Sequence, residues 1–288
     1  MYHYIIDQTR IPARNFDRLL GEVYGYLTEY QISGEVHRVT RLRNVSELVE
    51  TAVRGGAKTI VAIGDDQNFV QLIEILAEQS GLVLGYIPLQ KSSEIAAVLG
   101  LPSLSEACLA IAKRRIEEFD LGAAARNYFF TKLDFAATAT LGALSGLGGL
   151  FGALAAVSRL RAVPTLPVKI RVDNKFTVSG QIMAGSLINA RPVLPDKKSG
   201  LAAFRDGYLD LLLAEKMSAR DLFRFRQEIL AGHFENLPNA TILRGRNFEI
   251  EGPKNLNFAI GGQLLNRNLL DITVLARKLR VIVGKARR

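Results

Sequence analysis

The sequence predicts an α/β N-terminal domain with a mainly parallel sheet, followed by a β-rich antiparallel C-terminal domain. Over roughly the first 115 residues, apolar strand runs alternate with helical stripes, which is typical of a parallel sheet covered on both faces. From about Asp120, short β-like runs separated by polar turns replace that alternation. We therefore expect one domain at residues 1–118 and a second at 119–277.

The elements of the first domain follow from local patterns. Apolar runs predict four strands: Tyr2–Ile6, Glu35–Val39, Thr59–Ile63 and Leu82–Ile87. Apolar residues at helical spacing predict five helices: Phe16–Tyr30, Val45–Val53, one carrying Phe69, Leu72, Ile73 and Leu76, one carrying Ile95, Val98 and Leu99, and Ser103–Arg115. Asn44 or Ser46 caps the second helix, and Ser103 or Ser105 caps the last.

The second domain is predicted from short β-like segments. They are Asn127–Phe130, Val168–Val172, Ile182–Ile188, Leu209–Leu213, Ala240–Arg244, Phe248–Ile250, Leu269–Val274 and Leu279–Val283. One helix, Ala219–Leu230, interrupts them, and Ser218 is its expected cap.

Two strand-to-helix junctions stand out in the first domain, Val61–Phe69 and Leu84–Pro102. Gly64 ends the strand of the first junction, and Pro88 ends the strand of the second. Ligands of such sheets bind outside the carboxyl ends of the strands. A helix N-terminus adds free N–H groups and a favourable dipole for anions. These junctions therefore predict a site for phosphate groups.

Both junctions contain residues that match sequence motifs of a known family. The family's loop GGDGT aligns without a gap with Gly64-Asp65-Asp66-Gln67-Asn68. The family's second signature, PLGTGNDFARALGIP, has the same length as residues 88–102. The chain thus resembles the diacylglycerol kinase catalytic family, which includes sphingosine kinases and bacterial lipid kinases. The resemblance implies an NAD-kinase-like first domain that the tail 278–288 rejoins, and a lipid-binding second domain. The retained signature residues are Pro88, Leu89, Ala96, Leu99, Gly100 and Pro102.

The resemblance implies a nucleotide site for ATP and Mg²⁺. Asp66 keeps the family's acid, while Asp65 and Gln67 replace glycines and crowd a close phosphate. From the residues alone, ordinary helix capping by Ser92–Glu94 and a solvated turn at Asp65 and Asp66 remain open. The implied binding residues are Gly64, Asp65, Asp66, Gln67, Asn68, Lys91, Ser92, Ser93 and Glu94.

Three later segments also resemble family motifs. Asp206-Gly207-Tyr208-Leu209-Asp210 resembles DGLLD, which implies that Asp206 and Asp210 help to bind a structural metal; a turn and strand-edge pair is the alternative. Ala231-Gly232-His233 is similar to a GxH segment, in which we expect His233 to make a surface or interdomain hydrogen bond. Gly261-Gly262-Gln263 occupies the position of the acidic motif DGE.

The DGE position decides between two functions. Gly261 and Gln263 stand where the family has acids, and glutamine cannot accept a proton. A missing general base slows a reaction by about 10²–10⁴, unless another acid such as Asp66 or Glu94 substitutes. The chain is therefore either a divergent ATP-dependent kinase for a diacylglycerol-like hydroxyl, or a catalytically degenerate homologue that binds lipid, nucleotide or a protein.

Composition restricts the partners and the compartment. The net charge of +9 favours polyanions, and because no nucleic-acid motif accompanies it, we expect an anionic membrane surface rather than nucleic acid. The single cysteine, Cys108, lies in an apolar helical stripe and is expected to be buried. Without a signal-peptide pattern, the expected location is the cytoplasm or the inner membrane face. The sequence does not decide whether the protein forms a homodimer.

One uncharged segment, Phe135–Ser158, is dense in glycine, alanine and leucine. About twenty apolar residues can span a bilayer. A crossing here would separate β-strands of one domain, so we do not expect it. A buried helix of small residues and an apolar flap that enters the lipid interface remain open.

Overall fold

The computed structural model describes residues 2–7, 11, 13–40, 42–79, 81–90, 92–141, 164–191, 205–230 and 236–285. The chain forms two compact units, each with its own core. The first comprises Met1–Leu121, Ala190–Asp206 and Leu275–Arg288, and the second comprises Gly122–Asn189 and Gly207–Val274. The predicted fold class, α/β followed by an antiparallel β-rich part, is confirmed.

The first unit is built on a parallel sheet. Its first four strands are β1 (Tyr2–Ile6), β2 (Gly34–Arg38), β3 (Thr59–Gly64) and β4 (Val83–Pro88). They lie side by side in the order β4-β3-β1-β2, so β2 is the edge strand. Strands β3 and β4 are buried almost throughout, as expected for parallel strands covered on both faces.

Five helices cover this sheet: α1 (Ala13–Glu29), α2 (Val45–Arg54), α3 (Asp66–Leu76), α4 (Glu94–Leu99) and α5 (Leu104–Lys113). Side chains of Asn44 and Ser103 accept hydrogen bonds at the starts of α2 and α5, as the sequence predicts. Cys108 of α5 is buried, also as predicted, and burial raises the pKa of its thiol to about 12.

The second unit is antiparallel. Its long strands are β9 (Phe176–Ile188) and β12 (Asn247–Ile260), and each pairs with β8 (Leu166–Val172) along one half and with β7 (Lys132–Ala136) along the other. Strand β10 (Leu209–Glu215) joins β9 to β11 (Ala240–Gly245). Its core contains the aromatic side chains Phe129, Phe135, Phe248 and Phe258. This unit also contains β6 (Asn127–Phe129). Strands β5 (Ile116–Ala124) and β13 (Gln263–Ile282) each have residues in both units.

Several sequence-predicted elements differ from the structure. Strands β5 and β7 were not predicted, and the two predicted C-terminal strands are one strand, β13. The predicted helix at 219–230 is two helices, α7 (Ala219–Arg224) and α8 (Arg226–Leu230). Phe225 is the C-cap of α7: its backbone, with φ −98° and ψ 20°, departs from helical geometry, while its N–H still bonds to the carbonyls of Asp221 and Phe223.

The uncharged segment is described only at its start. Its first residues belong to β7, and helix α6 (Ala137–Leu141) follows. Residues 142–163, which include most of this segment, lie outside the described residues. Within the described part of the chain, none of the helices combines the length and apolarity needed to cross a bilayer.

Candidate functional site

The carboxyl ends of three parallel strands meet in the first unit. Asp7, directly after β1, donates its N–H to the carbonyl of Ile63 in β3 at 3.1 Å. The carbonyl of Gly64, at the end of β3, accepts from the N–H of Leu89 after β4 at 2.8 Å. These bonds bring the two predicted junctions together at the edge of the sheet where ligands of α/β folds bind.

Asp65 caps helix α3. Its backbone is extended, with φ −96° and ψ 177°, and its carboxylate accepts from the N–H of Asn68 at 3.0 Å. An N-cap satisfies one of the free N–H groups that begin a helix. The solvated turn considered from the sequence is therefore wrong for Asp65, because the chain's own carboxylate occupies the start of α3.

Asp66 links the two junctions through its carboxylate. Oδ1 accepts from the hydroxyl of Tyr86 at 2.8 Å and from the hydroxyl of Ser93. Oδ2 accepts from the N–H groups of Glu94 and Ile95 at 3.0 and 3.4 Å. Asp66 thus places a negative charge at the N-terminus of α4, where the helix dipole stabilises it. For Asp66, too, the solvated turn is wrong.

Tyr86 and Ser93 complete this network. Burial and then the nearby Asp66 carboxylate raise the pKa of the Tyr86 phenol, so Tyr86 remains a donor at neutral pH. Ser93 caps α4, since its hydroxyl also accepts from the N–H of Ala96 at 2.8 Å. The capping role that the sequence left open for this segment is confirmed at Ser93.

Asn68 is the most unusual polar residue of the site. Its side chain is completely buried, and neither amide atom has a hydrogen-bond partner among the described residues. It packs against Gly64, where an added Cβ would lie 3.2 Å from Cβ of Asn68 and 3.1 Å from the carbonyl of Asp7. A buried amide without partners destabilises a fold by about 1–3 kcal/mol, so this position suits a polar ligand or an ordered water.

The retained residues of the second signature have structural roles. Leu99 is fully buried, and Gly100 ends α4 with φ 69°, a left-handed conformation that glycine adopts without strain. The carbonyl of Leu99 accepts from the N–H of Gly284 at 2.9 Å. Gly284 therefore packs against the end of α4.

The remaining predicted residues fall at several places. Gln67 and Glu94 lie in the first turns of α3 and α4, and Ser92 lies just before the cap of α4. Lys91 and His233 lie outside the described residues. Nucleotide binding by Gln67, Lys91, Ser92 and Glu94 stays a prediction, as does the hydrogen bond expected of His233.

The two acids of the DGLLD-like segment have different environments. Asp206 lies in the turn before β10. Asp210 lies within β10, opposite Arg244 of β11, and its buried carboxylate is 3.9 Å from Nε of Arg244. The guanidinium thus supplies positive charge beside Asp210; metal binding by these acids stays a prediction.

The segment at the DGE position is a hairpin turn. Gly261 and Gly262 connect β12 to β13, and Ile260 pairs with Gln263 across the turn. Both glycines have positive φ, 54° and 83°. Two-residue hairpin turns of this kind require positive φ at both positions, which explains two consecutive glycines.

Side chains of this chain already bind N–H groups at the starts of both helices of the predicted phosphate site. Asp65 already binds an N–H at the start of α3, and Asp66 with Ser93 binds those at the start of α4. The carboxylates that would hold Mg²⁺ are the same groups. A triphosphate would have to replace these bonds against the repulsion of two acids.

Two residues of the site were not predicted from the sequence. Tyr86 lies inside a strand, and a tyrosine in an apolar run carries no signal of a buried hydroxyl contact. Asp7 follows the first strand directly and is buried. A polar residue right after an apolar parallel strand was the signal that could have found it.

Comparison with known proteins identifies the family. The diacylglycerol kinase catalytic domain matches residues 12–124, and the YegS C-terminal NAD kinase beta sandwich-like domain matches residues 153–283. The chain therefore belongs to the diacylglycerol kinase catalytic-domain family. No curated protein matches the sequence.

Solved structures show the same fold. A diacylglycerol kinase from Bacillus anthracis str. Sterne has 17% sequence identity and a TM-score of 0.73, with 99% of this chain and 98% of that chain covered. An NAD kinase from Archaeoglobus fulgidus in complex with ATP has 10% identity and a TM-score of 0.55, with 100% and 95% covered. At these identities, the likeness concerns the fold.

Proposed function

We propose that this chain is a binding protein with a lipid-kinase fold that attaches to lipid at an anionic membrane surface and does not transfer phosphate. The observation that carries the proposal is the Asp66 carboxylate, which accepts four hydrogen bonds from the residues around the second junction. This carboxylate occupies the N–H groups at the N-terminus of α4, which a bound phosphate would need as donors.

The acceptor side supports the same conclusion. Gly261 and Gln263 occupy the positions at which the family has acids, and both belong to a hairpin turn and its first strand pair. Neither side chain can take a proton from a lipid hydroxyl. The residues at this position thus have a structural role in the hairpin turn.

A basic and aromatic surface on the second unit supports membrane attachment. We name it the α7 surface and define it by Arg220, Phe223, Arg224 and Arg226. Phe223 is 46% exposed, and the guanidinium of Arg226 lies 4.6 Å from the centre of its ring. Basic residues at an anionic membrane contribute about 1 kcal/mol each, and an exposed ring can enter the interface.

A second candidate is an ATP-dependent kinase that acts on a diacylglycerol-like hydroxyl. The buried Asn68 amide favours it, because a polar ligand beside Gly64 would satisfy that side chain. Incubation of the pure protein with labelled ATP, Mg²⁺ and a total lipid extract separates the two functions. Labelled lipid that disappears with Asp66→Asn, in a variant shown to be folded, would establish the kinase and refute our proposal.

Reopening the first loop gives the converse test. The double substitution Asp65→Gly with Gln67→Gly removes the carboxylate cap and restores the family's glycine positions. We expect the wild-type protein to bind ATP weakly and the double variant to bind it more tightly, as measured by calorimetry with Mg²⁺ present. Equal ATP affinity of both proteins would contradict the closed site.

A further inference from the structure

A cluster of two histidines and one glutamate lies at the exposed edge of the first unit's sheet. Edge strand β2 carries Glu35 and His37 two positions apart, so both side chains leave the same face of the strand. The parallel register pairs His3 of β1 with Glu35, which places His3 on that face as well. This cluster lies near the beginning of β1, whereas the site described above lies past its carboxyl end.

The three possible ligand atoms are close enough to surround one ion. Nδ1 of His3 lies 3.2 Å from Nε2 of His37, and each of these nitrogens lies 3.7 Å from Oε2 of Glu35. A tetrahedral ion with bonds of about 2.0–2.1 Å keeps its ligand atoms roughly 3.3–3.4 Å apart. Shifts of a few tenths of an ångström would therefore bring all three atoms to bonding distance.

The chemical types of the three side chains suit a transition-metal ion. Two imidazoles and one carboxylate are a donor set that Zn²⁺ accepts, with a fourth position left open.

Packing alone gives a poor account of His3. Its side chain is 1% exposed, and Nε2 has no hydrogen-bond partner among the described residues. A buried polar nitrogen without a partner destabilises a fold, and an apolar residue would avoid that penalty. A metal bond at Nδ1 would offset it.

We propose that His3, Glu35 and His37 bind one divalent transition-metal ion, Zn²⁺ by its donor preference, which fastens edge strand β2 to β1. In the metal-free protein, Nδ1 of His3 and Nε2 of His37 share one hydrogen bond, and their rings are parallel within 4°. When the ion binds, each of these nitrogens gives it a lone pair, and the proton of the donor nitrogen moves to the other nitrogen of the same ring. Glu35, whose side chain is 54% exposed, supplies the negative ligand from the solvent side.

The test uses the full chain after treatment with a chelator. Zn²⁺ is titrated in competition with a chromophoric chelator, and Co²⁺ is titrated while visible absorption is recorded. We expect one Zn²⁺ per chain and the intense bands of four-coordinate Co²⁺. Glu35→Gln should weaken Zn²⁺ binding at least about tenfold, because loss of a ligand costs no less than loss of its hydrogen-bond partner.

Two controls keep the result interpretable. Glu47→Gln changes another exposed glutamate of the same unit, and His233→Asn changes the histidine outside the cluster; both should bind Zn²⁺ like the wild type. Zn²⁺ should also raise the Tm of the wild type more than that of Glu35→Gln. The proposal fails if the wild type binds no Zn²⁺, if Glu35→Gln binds it equally well, or if His233→Asn abolishes binding.

Discussion

At the scale of single residues, Asp66 is the strongest candidate for a structural role. Its carboxylate joins Tyr86 of β4 to the first turn of α4. Asp66→Ala leaves these donors without their charged acceptor, and a hydrogen bond to a charged group is worth about 1.5–3 kcal/mol. We expect the free energy of unfolding, measured with urea, to fall by at least this amount.

Glu106→Ala is the matched control for that substitution. Glu106 is likewise an acid in the first turn of a helix, α5, but it is exposed. Only its interaction with the helix dipole is lost, which amounts to about 0.3–1 kcal/mol. If Asp66→Ala and Glu106→Ala lower stability equally, the network around Asp66 contributes nothing beyond the dipole.

Glu74 of α3 makes stability depend on pH. Burial raises the pKa of its carboxyl group, so the folded protein holds this proton more tightly than the unfolded chain does. This difference stabilises the folded protein fully at pH values below the pKa of Glu74 in the unfolded chain. The stabilisation is lost as the pH rises through the pKa of Glu74 in the folded protein. Glu74→Gln should therefore stabilise the protein at about pH 8 and have no effect near pH 4.

Urea unfolding at both pH values measures this effect. Glu78→Gln, which changes an exposed glutamate just after α3, serves as the control and should leave the pH dependence unaltered. A Glu74→Gln protein that is less stable than the wild type at about pH 8 would show that the carboxylate gains more from its surroundings than burial takes away.

The site was predictable at some residues and not at others. Ser93 could be assigned as a cap, because a serine before an apolar helical stripe is a local signal. The contact of Asp66 with Tyr86 joins residues twenty positions apart in the chain. Only the register of β3 with β4 brings them together, and no spacing within the sequence encodes that register.

At the scale of elements, the segment after β13 packs tightly against the end of α4 at Gly284. A Cβ added at Gly284 would lie 2.0 Å from the carbonyl oxygen of Gly100, an atom of the backbone that cannot rotate away. Gly284→Ala should therefore lower the free energy of unfolding by about 1–3 kcal/mol, as measured by urea denaturation.

Gly180 provides the matched control for Gly284. It lies in strand β9, and a Cβ added there meets no atom within 4 Å. Gly180→Ala should change stability by no more than about 0.5 kcal/mol. A Gly284→Ala protein as stable as Gly180→Ala would mean that the chain end separates from α4 at little cost.

Elements with buried charges escaped sequence-based prediction. Strand β5 contains Glu117 and Asp120, both buried, which break its apolar pattern. Tertiary contacts explain them: Glu117 pairs with Arg115, and Asp120 accepts from the N–H of Arg277 at 2.7 Å. The parallel strands were predictable because their burial on both faces gives continuous apolar runs.

At the scale of the whole molecule, the chain keeps the family's fold and differs from the family's motifs at particular residues. Retained signature residues such as Leu99 and Gly100 end a helix and fill a core. Replaced ones now form caps or turns, as Asp65 and Gly261 do. A fold can persist without its first activity because function resides in particular side chains, which is why family membership alone does not decide between a kinase and a binding protein.

Net charge and its placement give the last prediction. The chain carries a net charge of +9, and an anionic membrane attracts any basic protein to some extent. If the α7 surface is the attachment site, position matters more than total charge. Arg220→Glu with Arg224→Glu removes two exposed cations beside Phe223. Loss of two basic contacts amounts to about 2 kcal/mol, so partition onto anionic vesicles should fall roughly thirtyfold.

The matched variant keeps the same net charge and moves the substitutions elsewhere. Arg14→Glu with Lys58→Glu changes two exposed cations of the first unit. Vesicle sedimentation should show a small loss for this variant and the large loss for the α7 variant, with both effects weaker at high salt because salt screens exposed charges. Equal losses would mean that the membrane responds to total charge, and attachment through the α7 surface would have to be abandoned.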